Sequence, residues 1–467
     1  MRTFRQGVVF AVALLAGGCG GGGAGNPTGT GGYLPATGGT GAVGTGGAVA
    51  TGGTVGTGGS SATGGTGATG APGPFSLIGP AHTSSAQPLT PTLSWQASTG
   101  AATYDVEVAT TVNFATTNVF EQYVAAPVTQ LTVPSGTLYQ GVIYYWRVSA
   151  LTGSAYTIAT DAPRWFSSPY QVLGAHGLDV TPDGTEVVVA SHVNNGAVDI
   201  IDLTTHEVGA IQTGLHSQPM GVAVAPDGKH ALATLLTNAS DGINGVAVID
   251  LVQNSFVDWI DDPCVATTLT NVAYFPNGAA AMPDLGPDCT TMGLSGFTPD
   301  PSAPSFSFTN LHDTNDPFDV AIDPTGTYAL VTMELDHKLY RIDFGVSVTN
   351  MDLSGASAGV AITHDGKTAV VAENQLDFVD TATGAITPVD LYQDTPGADF
   401  HNVAITPDDE VAAVVGTSSI QFVSMADGTV LAAYPIGGGN SVAISVDGSY
   451  AFVSDRSNGY VRVVPIP

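Results

Sequence analysis

The chain has 467 residues, enough for two or three domains with sizeable cores. Acids outnumber bases 40 to 10, giving a formal charge of −30 at pH 7, which sets the chain against phosphate backbones and excludes nucleic acid as a partner. Its 60 glycines are unevenly placed, so a low-complexity segment stands beside globular sequence.

At the N-terminus, Arg2 and Arg5 precede the short apolar run 8–16. That run is too short to span a bilayer and reads as a signal peptide. It ends in Leu15-Ala16-Gly17-Gly18-Cys19, which resembles a bacterial lipobox, with Ala16 where leucine is usual. The resemblance implies that residues 1–18 are removed and that Cys19 is lipidated and becomes the mature N-terminus. Gly20 after the cysteine, in place of aspartate, points to the outer membrane on either its periplasmic or its surface face. Secretion without lipid is the alternative.

From Cys19 to Gly73 there is almost no large side chain, and Thr-Gly pairs recur at Thr45, Thr51, Thr57, Thr63 and Thr69. Glycine does not fall at every third position as collagen requires, and the valines are too sparse for a β-helix. A disordered Gly/Thr-rich tether is expected, with a span of roughly 40 Å for about 50 residues.

Residues 74–167 alternate apolar and polar residues in short runs, among them 92–95, 103–108, 144–150 and 164–166. Roughly seven strands in about 95 residues predict a β-sandwich. Trp95 as an early core tryptophan, and Leu138 followed six residues later by Tyr144, resemble a fibronectin type III domain. Without an Arg-Gly-Asp sequence, the sandwich is expected to act as a spacer.

Residues 168–467 contain a repeat: a short apolar strand, a tight turn and a second apolar strand. Its turn falls at Gly184, Gly228, Gly278, Gly326, Gly366, Asp409 and Gly448. The intervals of 44, 50, 48, 40, 43 and 39 residues suit four-stranded propeller blades. Asp-Gly turns close hairpins tightly, and the run after each turn predicts a strand buried on both faces. The last copy stops after its third strand, while 170–173 supplies an unpaired strand just before the first, so this segment is expected to close the ring. These residues resemble the YVTN family of seven-bladed propellers, related to YncE-type proteins. The fold class predicted for the whole chain is all-β: a seven-bladed β-propeller behind a fibronectin type III-like sandwich and a disordered tether. A monomer is expected.

Chemistry is sparse. Only Trp259 of the four tryptophans lies in the propeller, there is no Asp-x-Asp-x-Asp-Gly calcium loop, no Gly-x-Ser-x-Gly elbow and no zinc-spaced Cys/His cluster. Alignment on the turn places His176, Met220, Thr270, Phe318, Ala358, His401 and Asn440 at one equivalent position on the axis. His216, His312, Asp313, Asp316 and Asp319 lie in or near the same class of inter-blade loop. His176, His216, His312, Asp316, His401 and Asn440 are therefore the candidate axial ligand-binding residues. Imidazole and carboxylate together suit a divalent metal, although no cofactor is required by any motif. Cys264 and Cys289 form an even pair in an oxidising compartment and suit a disulfide, two separate buried thiols being the other reading.

Two functions follow from these features. One is a membrane-anchored binding or scaffold module contacting a protein or glycan, not an enzyme. The other is an envelope hydrolase of the lactonase type with an axial metal. For the anchor, mass spectrometry of the mature protein is expected to find acylation at Cys19; an intact Met1, or cleavage elsewhere without lipid, refutes it.

Overall fold

A computed structural model describes residues 70–467 apart from 115–117, 193–195, 215–216, 238–244, 262–270, 286–291, 304, 312–316, 334–336, 354, 356–357, 373–374 and 392–399. Cys19, Cys264 and Cys289 lie outside the described residues. The chain divides into residues 1–65 and one compact unit, 66–467, which is all-β. No helix among the described residues is long and apolar enough to cross a membrane.

The unit begins with two facing sheets. One joins strands Leu77–Gly79, Thr92–Trp95 and Gln130–Thr132; the other joins Phe120–Ala125, Thr103–Ala109, Ile143–Thr152, Ala155–Ile158 and Arg164–Ser167. Alternation decides which residues meet: Tyr104, Val106 and Val108 pack with Tyr144, Trp146 and Val148 against Leu77, Leu93 and Trp95. Buried hydroxyls are satisfied locally, the Ser98 N–H donating to Tyr104 and the Tyr139 N–H to Tyr144, each at 2.8 Å. Order starts slightly before residue 74, because the Thr157 hydroxyl donates to the Pro72 carbonyl at 2.6 Å and the Gly73 N–H to Thr99 at 2.8 Å.

From Ala175 onward the strands come in fours. Among the described residues there are seven four-stranded antiparallel sheets: 175–212, 217–261, 273–310, 317–352, 360–389, 400–435, and 439–465 completed by 170–171. Each repeat turn joins the first two strands of a sheet, and Asp409 adopts the same positive φ, 59°, that glycine supplies in the other copies. The strand after the turn is covered on both sides. In Glu186–Ser191, Val187 and Val189 join the core shared with the last sheet, whereas Val188 and Ala190 join the core shared with the second. This is the packing of a β-propeller.

The last sheet takes its outer strand from the segment preceding the first: Tyr170 pairs with Val461 and Gln171 with Tyr460, and the Val172 N–H donates to Gly459 at 3.0 Å. The sandwich is not a passive spacer. Only Ser168 and Pro169 separate its last strand from Tyr170, so the short link holds it against the ring. Ile143 and Trp165 enter the core around Tyr170, Val461 and Val463, and the Trp165 ring meets Tyr434 edge-on at 5.3 Å. The Ser167 hydroxyl donates to the Val463 carbonyl at 2.8 Å. Arg462, ion-paired with fully buried Asp455 through Nε at 2.7 Å, donates to the Ser85 hydroxyl at 3.2 Å.

Tyr170 is 1% exposed and serves both junctions at once. Tyr170→Ala is expected to cost about 3–5 kcal/mol, the range for deleting a buried aromatic side chain. Urea denaturation reads this directly, and an unchanged midpoint refutes the closure argument.

Candidate functional site

The first strand of each sheet lies innermost, so counting back from its turn gives equivalent positions around the ring. His176, Met220, Phe318, His401 and Asn440, equivalent by that count, line one cavity of about 140 Å³. The structure thus brings together three of the six candidate axial residues. His216, His312 and Asp316 lie outside the described residues, as does Thr270 of the same ring. Among the described residues no group of three or more His, Cys, Asp or Glu side chains could hold a metal ion.

The next residue along each strand forms a second ring: Gly177, Gly221, Asn271, Asp319, Gly359, Asn402 and Ser441. All except Gly359 line the cavity. This ring shows how closely the innermost strands approach. A Cβ on Gly177 would lie 2.6 Å from the Met220 carbonyl oxygen, and one on Gly359 would lie 2.6 Å from the Asn402 Cα. Where the residue is polar it bridges to a neighbouring sheet. The Asn271 amide donates to Asp319 Oδ1 at 2.5 Å, and Asp319 Oδ2 accepts the Val360 N–H at 2.9 Å. Asn402 Oδ1 accepts the Val442 N–H at 3.1 Å.

Two positions further on, six copies carry alanine (Ala223, Ala273, Ala321, Ala361, Ala404, Ala443) and the first carries Asp179. Asp179 Oδ2 accepts the Val224 N–H of the second sheet at 2.8 Å. Burial raises the carboxyls of both Asp179 and Asp319 to about 6, against the opposing pull of the N–H groups they accept. The register of the repeat already distinguishes Asp179 and the second ring; of these the sequence reading named Asp319 alone.

At the junction of the first and last sheets His176 donates from Nδ1 to the Met220 carbonyl at 3.0 Å, since a carbonyl can only accept. Its Nε2 therefore keeps a lone pair. The Asn440 carboxamide lies 3.3 Å from the same Nδ1 and suits it when its oxygen faces the ring. His192 lies beside His176, ring centroids 5.8 Å apart, with a buried Nδ1 that has no hydrogen-bond partner. Burial, then the positive charge of Arg456, lowers His176 to about 3 and His192 to about 4, so both rings are neutral at pH 7. The cavity wall thus offers the neutral imidazole of His176 and the carboxamides of Asn271, Asn402 and Asn440 beside Met220 and Phe318.

A larger cleft of about 700 Å³, absent from the sequence reading, lies between the sandwich and the ring, lined by Ile143, Tyr170, His206, Tyr450 and Phe452 among others. Burial pushes the Tyr170 phenol upward, so it keeps its proton and donates to His206 Nδ1 at 3.1 Å.

No family model and no curated protein matches this chain in sequence. Solved structures do match. A chain of the Kuenenia stuttgartiensis hydrazine synthase is similar with a TM-score of 0.53 and 17% identity, covering 64% of this chain and 97% of that one. The Cps50 (Swd1) β-propeller domain of Myceliophteria thermophila is similar with a TM-score of 0.53 and 11% identity, covering 64% of this chain and 99% of that one. At these identities the likeness establishes the propeller fold alone.

The raised carboxyls make stability depend on pH. Between the ordinary aspartate value of 3.8 and about 6 these two carboxyls hold protons in the folded chain that the unfolded chain has released, so their own contribution to stability falls as pH rises, whereas His176 and His192, lowered to about 3 and about 4, contribute in the opposite sense. Asp319→Asn removes one falling contribution, so relative to the wild type its slope of stability against pH is expected to become more positive by up to about 1.4 kcal/mol per pH unit. Urea midpoints at pH 4.5 and 6 measure it, and an unaltered slope refutes the assignment to Asp319.

Proposed function

We propose that the chain is an exported, lipid-anchored binding module of the bacterial cell envelope. In this reading a seven-bladed propeller of YVTN type, braced by a fibronectin type III-like domain, presents its axial mouth to a protein or glycan. The lipobox-like Leu15–Cys19 and the Gly/Thr-rich segment after it support the anchor and the tether. The seven sheets and the 39–50-residue turn spacing support the blade count. Trp95 in the sandwich core and the Tyr144 hydroxyl bonded to the Tyr139 backbone support the fibronectin-like reading.

The observation that carries the binding role is the axial cavity. Residues as far apart as His176 and Asn440, 264 positions, are held at its wall by closed backbone packing, so the site exists before any ligand arrives. Preformed walls that mix a few polar groups with apolar surface suit binding. The lactonase-type reading needs an axial metal in addition to this cavity.

Two measurements test the proposal. In a bacterial host the full-length chain is expected in the outer-membrane fraction, with Cys19→Ala released from it; a variant that stays with the membrane overturns the anchor. In the same cells, cross-linking to an envelope partner is expected to disappear in the His176→Ala/His401→Ala double variant while its melting temperature is unchanged. Full retention of the cross-link overturns the axial site.

A further inference from the structure

The repeat is regular enough for its departures to be located. At the second position of the inner turn five sheets carry proline (Pro182, Pro226, Pro276, Pro324 and Pro407) and the fifth carries His364, whereas the last carries Val446. In the turn between the third and fourth strands, positive φ falls on Asn254, Gly384, Gly428 and Gly459 in the second, fifth, sixth and last sheets. The first sheet places His206 there, at φ 62°, a conformation that suits glycine and that other side chains rarely adopt. Both departures meet at one place, the cleft of about 700 Å³ between the sandwich and the ring. They do more than seat the sandwich, because Val446 stays 49% exposed and Tyr450, in the same lining, 40% exposed. The turns of the first and last sheets adjoin, a Cβ on Gly184 lying 3.4 Å from Val446 Cγ2, and each adds a carboxylate to the lining, Asp183 and Asp447. Their own turns engage them through Oδ1, which accepts the Thr185 N–H at 3.1 Å in Asp183 and the Ser449 N–H at 3.0 Å in Asp447. His206 is held as part of the wall: Tyr170 donates to its Nδ1, and the Tyr139 ring stacks on it at 5.5 Å. Burial lowers the His206 imidazole below its ordinary range, so it is neutral at pH 7 and does not repel a cation.

We propose that this cleft binds an organic ammonium ion with a flat apolar body, the ammonium at Asp183 and Asp447 and the body against Tyr450, Val446 and Ile143. The site shares no lining residue with the axial cavity and does not rest on it. Its volume lies within the roughly 300–1,000 Å³ of small-molecule sites, and its walls have their composition, mostly apolar and aromatic with a few polar groups. Among the described residues the charged members of the lining are both acids, so the cleft attracts a cation and repels an anion. A tyrosine face adds to this, because its ring quadrupole attracts an ammonium group. The formal charge of −30 acts in the same direction at longer range.

Tryptamine is the probe, with tryptophol and indole-3-propionate as neutral and anionic counterparts, titrated calorimetrically into the purified full-length chain. Tryptamine is expected to bind, tryptophol at least tenfold more weakly and indole-3-propionate not measurably. The Asp183→Asn/Asp447→Asn variant should lose at least tenfold in tryptamine affinity. Asparagine keeps the turn, as Asn277 does at the same position of the third sheet, where its Oδ1 accepts the Ala279 N–H at 3.0 Å. The Asp365→Asn/Asp408→Asn variant removes the same charge from the equivalent turns of the fifth and sixth sheets and should bind tryptamine as the wild type does. Val446→Trp fills the cleft from a half-exposed position and should abolish binding at an unchanged melting temperature. No tryptamine binding, or equal binding of tryptophol, overturns the proposal. So does unaltered affinity in the Asp183/Asp447 variant, an equal loss in the Asp365/Asp408 variant, or retained binding in Val446→Trp.

Discussion

An antiparallel sheet that ends in an open strand leaves a row of backbone donors and acceptors without partners, and a ring of sheets has the same difficulty wherever the chain begins and stops. Here the difficulty is resolved by two residues. Tyr170 and Gln171 pair with the last strand of the last sheet, although they precede the first sheet in sequence. Everything else in the unit depends on that pairing. Because only two residues separate it from the sandwich, closing the ring also docks the sandwich, and Trp165 and Ile143 become part of the same core as Val461 and Val463. The buried Arg462–Asp455 pair then finds its further partner in Ser85 of the sandwich. Such a pair is costly to desolvate and costlier to break from one side, so it favours this one docked arrangement over others.

Closure also builds the axis. Once the first and last sheets are neighbours, His176 and Asn440 share a wall, and the innermost strands come so close that Gly177 and Gly359 admit no side chain. Tight backbone approach leaves a small, rigid space whose polar groups are held by neighbouring strands rather than by water. Burial in that space, more than any single partner, keeps His176 and His192 neutral and the Asp179 and Asp319 carboxyls reluctant to ionise.

Much of this was legible in the residues. Turn residues at 39–50-residue spacing mark each sheet, the apolar run after each turn marks the strand buried on both sides, and the missing last strand marks Tyr170 as its replacement. The axial ring was legible because equivalent positions can be counted from the turn. What escaped has a physical reason in each case. Asp179 stands out among six alanines, yet one departure from a repeat carries no chemistry until the Val224 N–H is found beside it. The docking of the sandwich rests on contacts such as Trp165 with Tyr434, which follow from shape and leave no periodicity in either segment.

Net charge acts differently at the outer surface and at the axis. A formal charge of −30 argues for cations, and over the outer surface that argument holds. At physiological salt, however, charges more than about 8 Å apart in water are largely screened, while those sharing a protein-walled mouth are screened much less. The field felt by a ligand at the axis is therefore set more by the few groups around it than by the total charge. The two scales act together rather than in conflict. The acidic exterior repels large polyanions before they reach the mouth, whereas a small ligand that enters meets the neutral imidazole, carboxamides and apolar side chains of the wall. Selectivity at the axis then follows from the size of the cavity and the hydrogen-bonding groups of its wall, set within an acidic shell.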